Sequence, residues 1–534
     1  MLGKRALCVV VMFSLACGDD DDPVDASLAF DADAGADAAD ASVGDPEIEI
    51  SDGPLIGTRG DGYVEFLGIP YAAPPVGDLR WRSPQPHPGW TDPIVSDQPE
   101  RCRQEALGLG LGGDEDCLYL NVHAPDPLPV DAPVMVWIHG GGFVFGEGVQ
   151  LDNGTRGDRL AQRGVVVVSM NYRLGAYGFF AHPALTAEEG SSGNFGFEDQ
   201  VAALRWVQAN IAAFGGNPDD VTIFGESAGG QSVCFHLISP ESDGLFHKAI
   251  VESGLCDRPI ETLESAEAFG VEFASSLGCD ESAGTACLRA LSADTLDAMD
   301  PGAQLFETLN GERSWWPVVD GTILPATFRE VVTADEHTKV PSLVGWNGDE
   351  GTLFVMLAEQ AQERPMTEAD YDAFIPGLAE SQGVDPDALR ARYPVASYPD
   401  PGAAIADALG DAALACPSRR TAQLLAPTTP TWVYQFNHVD APFQLAEDRE
   451  LGAFHSAEIQ YVFGHPTTIG QRIFRGDDAT LHETMADIWV RFAASGDLSG
   501  DWDTFDTAEA FMSFDVPAST TGTEPDAEVC AFFE

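Results

Sequence analysis

Three observations in this 534-residue chain predict an α/β architecture with a large, mostly parallel sheet and crossover helices. Short apolar runs rich in valine and isoleucine alternate with stretches of helical periodicity. One strand-like run, Asp220-Val221-Thr222-Ile223-Phe224, passes through Gly225-Glu226-Ser227-Ala228-Gly229 into Gln231–Leu237, which can start a helix. The order strand, helix, strand, tight turn, helix requires crossover connections, and crossovers leave neighbouring strands parallel.

Taken from the N-terminus, the first element is a candidate export signal, residues 1–17. Lys4 and Arg5 are its charged start, Ala6 to Leu15 its apolar run, and Leu15-Ala16-Cys17 its end. About ten apolar residues are too few to span a bilayer. A cysteine directly after Ala16 resembles a bacterial lipobox, which would make Cys17 a lipidation site. The plainer alternative is an ordinary secretory signal with an incidental cysteine. Residues 18–47 are mostly Asp, Ala, Gly and Pro, too poor in apolar surface to fold, and read as an acidic tether. Together with a lipidated Cys17 they place the protein outside the cytoplasm, in a bacterial cell envelope. The aspartate run 19–22 is solvated charge rather than a metal site.

The folded domain is expected over 48–534. Ile48 to Leu67 alternates around Gly and Asp turns like paired strands. Pro133 to His139 and Gly164 to Asn171 are buried-strand runs, and Val340 to Trp346 is another. Asp199 to Phe214 carries Val201, Leu204, Val207 and Ile211 at helical spacing. Residues 257–310 and 355–425 are Ala- and Leu-rich and read as helical caps over the sheet.

The charge excludes one class of partner. With 86 acidic and 27 basic residues the net charge is −59, so nucleic acid would be repelled. Residues 1–47 hold eleven acids and two bases, leaving −50 to the folded domain. Ten cysteines fit an exported protein. If Cys8 leaves with the signal and Cys17 is lipidated, eight remain, enough for four disulfides. Their spacing is not that of a zinc site.

The chemistry starts from Ser227. A serine on a sharp strand-to-helix turn between glycines is exposed, strained and aimed by the helix N-terminus, which suits a nucleophile. His139-Gly140-Gly141-Gly142-Phe143 follows a strand and leaves backbone N–H groups free. Gly141 and Gly142, with the N–H of Ala228, would form a three-donor oxyanion hole. A base should follow the serine, with an acid between them. The residues alone leave His455, His438 and His465 open as the base. They likewise leave Asp320, Asp349 and Glu350 open as the acid.

Four segments resemble the type-B carboxylesterases, the group that includes cholinesterases and fungal lipases. They are Phe214–Asn217 with Ile223–Gly229, Glu115–Val122, Gly193–Gln200 running into Ala203–Val207, and Gly140–Phe143. Matches continue to Trp489–Asp497. The resemblance implies an α/β-hydrolase fold and a cofactor-free serine hydrolase of carboxylic esters. It assigns the acid to Glu350, in an Asp-Glu-Gly turn, and the base to His455, in Gly-x-x-His-x-x-Glu-Ile. It gives Glu226 a supporting place beside the pocket and no catalytic role. It also implies disulfides Cys102–Cys117 and Cys279–Cys287, leaving Cys234, Cys256, Cys416 and Cys530 unassigned, with Cys234 a candidate small buried residue.

One departure bears on substrate. In cholinesterases the loop after the first of these cysteines carries a tryptophan that stacks on choline. Here Arg103 to Asp116 contains no aromatic residue. Small or medium uncharged esters are therefore expected. Trp315 and Trp316 are candidates either to narrow the acyl pocket or to fill the core. The rival readings are a lipase on longer-chain acylglycerols and a non-catalytic adhesion module. The oligomeric state is open.

Overall fold

The computed structural model describes residues 44–104, 112–149, 154–279, 284–299, 315–442, 449–466, 474–506, 508–523 and 525–533. The expectations for the signal, for Cys17 and for nearly all of the tether fall outside the described residues, as do positions 105–111 of the loop after Cys102.

The folded unit begins with a small sheet of β1 (Glu47–Glu49), β2 (Pro54–Ile56) and β5 (Ile94–Val95). The main sheet holds, in chain order, β3 (Thr58–Arg59), β4 (Tyr63–Pro70), β6 (Tyr119–Pro125), β7 (Ala132–Ile138) and β8 (Val166–Met170). It continues with β9 (Gly216–Glu226), β10 (Lys248–Glu252), β11 (Ser342–Asn347), β12 (Thr431–Phe436), β13 (Ala510–Phe514) and β14 (Thr520–Thr523). Their spatial order is β14-β13-β12-β11-β10-β9-β7-β8-β6-β4-β3. The pairings from β8 through β7, β9, β10, β11 and β12 to β13 are all parallel, and antiparallel pairs lie at both edges.

The parallel centre explains the apolar runs. Val134, Met135, Val136, Trp137 and Ile138 are all buried, because helices cover both faces of β7. Val136 and Ile138 belong to one apolar cluster, Met135 and Trp137 to another on the opposite face. The expected crossover helix spans Phe195–Asn210 and ends in a short 3-10 turn at Phe214. The helix after Ser227 spans Ala228–Ile238, and the sheet is the one expected. The stretch expected as a cap over 355–425 is helical throughout most of its length. Helices Thr352–Gln362, Glu368–Gln382, Pro386–Arg392 and Pro401–Gly410 close a third apolar cluster around Phe354, Ile375 and Leu409.

Among the described residues, four disulfides staple the fold. Cys102–Cys117 and Cys279–Cys287 are those implied by the resemblance. Cys234–Cys256 and Cys416–Cys530 are further ones. Cys234 is thus not merely a small buried residue. The turn after β10 returns beneath the helix that follows Ser227, and the two Cα atoms stand 5.7 Å apart, a normal bridging distance. No helix among the described residues is long and apolar enough to cross a membrane.

Candidate active site

β9 ends at Glu226 and the next helix starts at Ala228, so Ser227 makes the whole turn. Its backbone sits at φ 58°, ψ −121°, a conformation that costs a non-glycine residue energy and persists only where packing enforces it. Two hydrogen bonds help. Ser227 N–H donates to the Glu252 carbonyl at 2.9 Å, and Gln231 N–H donates to the Ser227 carbonyl at 2.8 Å. Close backbone approach does the rest. A Cβ at Gly225 would stand 2.6 Å from the Ile138 carbonyl, and one at Gly230 2.6 Å from the Glu252 carbonyl. Only glycine lets β7 and β10 come this near the turn.

The glycine run after β7 lies directly against this serine. A Cβ on Gly140 would be 3.1 Å from Ser227 Cβ. Gly141, Gly142 and Phe143 have φ values of 98°, 61° and 62°, a left-handed run that turns the chain over Ser227. Among the described residues the N–H groups of Gly141, Gly142 and Ala228 have no acceptor. Ala228 opens its helix, where the aligned peptide dipoles favour negative charge. His139 anchors the loop. Its ring stacks on Tyr172 with centroids 4.3 Å apart, and Tyr172 Oη donates to the His139 carbonyl at 2.8 Å. Burial pushes the His139 imidazole down to about 4, so this ring is neutral near pH 7.

Glu350 and His455 arrive from distant parts of the chain. Glu350 lies just past β11, and His455 sits in a loop laced to the same place. Asp349 N–H donates to the Ala453 carbonyl at 2.9 Å, and Asn347 Nδ2 to the Phe454 carbonyl at 2.9 Å. His455 Nδ1 then lies 2.6 Å from Glu350 Oε2. The other oxygen of Glu350 accepts from Ser253 Oγ at 2.6 Å and from the Asn347 N–H at 2.8 Å. Glu350 and His455 are 1% and 4% exposed, so the pair is screened little by water.

The second nitrogen of His455 faces Glu226. Nε2 lies 3.0 Å from Glu226 Oε1, an ion-pair distance without hydrogen-bond alignment, so that oxygen still lacks a donor. Among the described residues no hydrogen bond joins Ser227 Oγ to His455 Nε2. Such bonds commonly form only once substrate is in place. The Phe354 ring flanks His455 at 4.9 Å.

The site is rich in buried carboxyls. Burial, and then Glu350 and Glu252, hold the Glu226 carboxyl well above the usual range. Glu458 is raised in the same way, with burial first and Glu226, Glu252 and Glu350 after it, although Asn347 Nδ2 donates to it. Burial pushes Glu252 up to about 7, opposed by a hydrogen bond from Trp489 Nε1 at 2.6 Å. A buried carboxyl with carboxylate neighbours keeps its proton because a second or third negative charge in low dielectric is costly.

The rival candidates are occupied elsewhere. Asp349 accepts from the Ala453 N–H at 2.7 Å and ties the histidine loop down. Asp320 caps a turn, accepting from the N–H groups of Thr322, Ile323 and Leu324. His438 faces Asp478 at 3.0 Å, and His465 faces Asp158 at 2.6 Å. Trp315 is core, packed among Phe180, Phe269 and Phe273. Trp316 is half-buried and stands edge-on to Phe143 at 5.2 Å. Two residues of the site carried no signal in the sequence reading, Ser253 and Glu252. A Glu-Ser-Gly triplet at the C-terminal end of a parallel strand was the available clue, since loops there line the sites of such sheets.

A model of the "Carboxylesterase family" matches residues 44–533. The chain belongs to the carboxylesterase family. It is a serine-type hydrolase of carboxylic esters with the α/β-hydrolase fold. It is 36% identical over 503 residues to the fumonisin B1 esterase of Sphingopyxis macrogoltabida, covering 89% of this chain and 87% of that one. It is 35% identical over 500 residues to the cocaine esterase of Homo sapiens, covering 87% and 86%. A PNB esterase structure superposes with a TM-score of 0.76 at 31% identity, covering 91% of this chain and 99% of the other. Four disulfides suit an extracytoplasmic carboxylesterase.

Proposed function

We propose that ester hydrolysis here runs through Ser227, His455 and Glu350. The observation that carries the reading is the 2.6 Å contact of His455 Nδ1 with Glu350, beside a serine held in a strained elbow. Ser227 Oγ attacks the ester carbonyl and His455 Nε2 takes its proton. Glu350 keeps the ring in the required tautomer and stabilises the imidazolium. The tetrahedral oxyanion is met by the N–H groups of Gly141, Gly142 and Ala228, each worth on the order of 3 kcal/mol in the transition state. His455 then protonates the leaving alcohol, and water repeats the sequence on the acyl-enzyme. The Glu226 carboxyl, raised well above the usual range by burial and then by Glu350 and Glu252, sits beside the base.

The substrates proposed are small or medium uncharged esters. The loop Arg103–Asp116 has no aromatic residue to receive a quaternary ammonium group. The fumonisin and cocaine esterases match at nearly equal identity, so identity alone selects no alcohol. A Ser227→Ala protein should keep its fold and lose at least about 10⁴-fold in kcat. Unchanged hydrolysis in that variant overturns the mechanism. A panel of 4-nitrophenyl esters of rising acyl length separates this reading from the lipase, which would prefer long chains at an oil interface.

We also propose export through residues 1–17 and anchoring by a lipid on Cys17, with residues 18–47 as the acidic tether. The four disulfides and the short apolar run after Arg5 support the reading. A Cys17→Ala protein should leave the membrane fraction, and its retention there counts against the anchor.

A further inference from the structure

The glycine run that carries the proposed oxyanion donors is gripped by the chain that leaves β8. β7 and β8 are parallel and pair Ile138 with Met170, so the two chains leave the sheet side by side. Past Met170, the segment Asn171–Gly175 meets the glycine loop at three places. Asn171 Oδ1 accepts from the Gly148 N–H at 2.8 Å, beyond the run. Gly175 N–H donates to the Phe143 carbonyl at 2.7 Å, at its end. Tyr172 Oη donates to the His139 carbonyl at 2.8 Å, at its start, and the Tyr172 ring stacks on the imidazole with the planes 18° apart. The segment is itself anchored. Arg173 forms a buried two-pronged pair with Asp199, 2.7 Å to each carboxyl oxygen.

A trans peptide unit is planar, so its N–H points away from its C=O. The direction of the Gly141 N–H is therefore set by whatever holds the Gly140 carbonyl. That of the Gly142 N–H is set by whatever holds the Gly141 carbonyl. The Gly141 carbonyl is held inside the loop, accepting from the N–H groups of Val144 and Phe145 at 3.0 and 3.1 Å. The Gly140 carbonyl lies 2.8 Å from His139 Nδ1. A carbonyl only accepts, so Nδ1 carries the hydrogen of this ring. The His139 imidazole thus aims the Gly141 N–H. The plane of that imidazole is fixed by the Tyr172 ring, and the backbone that carries it by the Tyr172 hydroxyl. Both side chains are buried, so no water competes for these contacts.

We propose that Tyr172 is a positioning residue for the oxyanion donors: acting through His139, it fixes the direction of the Gly141 N–H before charge develops on the substrate. Donors already aligned stabilise the transition state without a reorganisation cost at the moment of reaction. The inference rests on the proposed Ser227 mechanism and its oxyanion hole.

Tyr172→Phe keeps the ring and its stack and deletes one hydroxyl. On 4-nitrophenyl butyrate, kcat per titrated active site should fall on the order of tenfold, with KM within about twofold. The acid limb of the kcat/KM profile should stay in place, because His455 and Glu350 are untouched. The second readout is inhibition by an alkyl trifluoromethyl ketone. Ser227 Oγ bonds to its carbonyl carbon, the serine proton passes to His455, and the carbonyl electron pair settles on an oxygen that needs the same donors. The Ki should rise by the factor by which kcat/KM falls. Lower thermal stability with kcat and Ki unchanged would make Tyr172 a packing residue and overturn the proposal. A fall in kcat with Ki unchanged would overturn it too. If Tyr172→Phe is not recovered folded, His139→Ala decides, since it cuts the link from Tyr172 to the Gly140 carbonyl. A parallel change in kcat/KM and Ki there supports the proposal, and any other pattern overturns it. A wild type that the ketone does not inhibit would remove the Ser227 reading itself, and the proposal with it.

Discussion

The two sides of the proposed active site are built by different physics. The side of Ser227, the proposed nucleophile, is local and steric. Ser227, Gly225, Gly229 and Gly230 lie within six residues, and the backbones of β7 and β10 press on them at less than 3 Å from any added Cβ. The histidine side is distant and electrostatic. Glu350 and His455 are 105 residues apart, and both lie among Glu226, Glu252 and Glu458, buried carboxyls with few compensating cations. A side held by backbone crowding tolerates changes of charge and fails on changes of volume. A side held by hydrogen bonds among acids does the opposite.

The largest effect expected on this contrast is from Glu350→Gln. The amide oxygen can still accept from Ser253 Oγ and the Asn347 N–H, so volume and most contacts survive. Its NH₂ group would face His455 Nδ1 and force the wrong tautomer. The expected loss in kcat is about 10⁴-fold with little change in thermal stability. Stopped-assay kinetics and a melting curve on one preparation check both halves. A loss of fold without a specific loss of rate would remove the distinction.

A smaller effect is expected on the nucleophile side from the double change Cys234→Ser, Cys256→Ser. The bridge closes a loop of 22 residues, so the chain-entropy model gives about 3 kcal/mol of stability. Denaturant unfolding should show that loss. At a temperature where the variant is folded, kcat on a neutral ester should stay within a few-fold of wild type, because backbone crowding rather than the bridge sets the elbow. A collapse of kcat in the folded variant would show that the staple, and not the glycines, holds Ser227.

The same contrast explains what the sequence made legible. The elbow could be read because its determinants are contiguous: a strand pattern, a serine between glycines, then a helix. The parallel sheet followed from apolar runs that carry no alternation, which only two-sided burial produces. The histidine could not be read from its own neighbours. His438, His455 and His465 each turn out to face an acid, so a nearby carboxylate did not discriminate among them. The family resemblance separated them, and the geometry here brings His455 and Glu350 together. Ser253 and Glu252 stayed silent for a related reason. Their importance comes from strand order, which sets β10 between β9 and β11, and no local pattern encodes that neighbourhood. The bridge Cys234–Cys256 was hidden in the same way, since the turn after β10 reaches the helix only in the folded sheet.

The smallest expected effect probes the electrostatic side through Glu252. This residue is fully buried, accepts from the Ser227 N–H through its backbone carbonyl, and accepts from Trp489 Nε1 through its carboxyl. Its carboxyl is pushed from 4.5 up to about 7 by burial. The folded state therefore holds a proton that the unfolded chain releases between those two values. Stability contributed by that proton is fully present below pH 4.5 and is lost as pH rises through about 7. From pH 5 to 8 the loss assignable to Glu252 is about 2 kcal/mol. Glu226 and Glu458 are raised too and add to the same slope. In Glu252→Gln the amide oxygen can keep the Trp489 hydrogen bond but has no proton to lose. Urea unfolding at pH 5 and pH 8 should then give a shallower fall for the variant than for wild type, with the difference largest at pH 8. Parallel slopes would mean that the carboxyl ionises in place without cost, and that the histidine side is wetter than its burial implies.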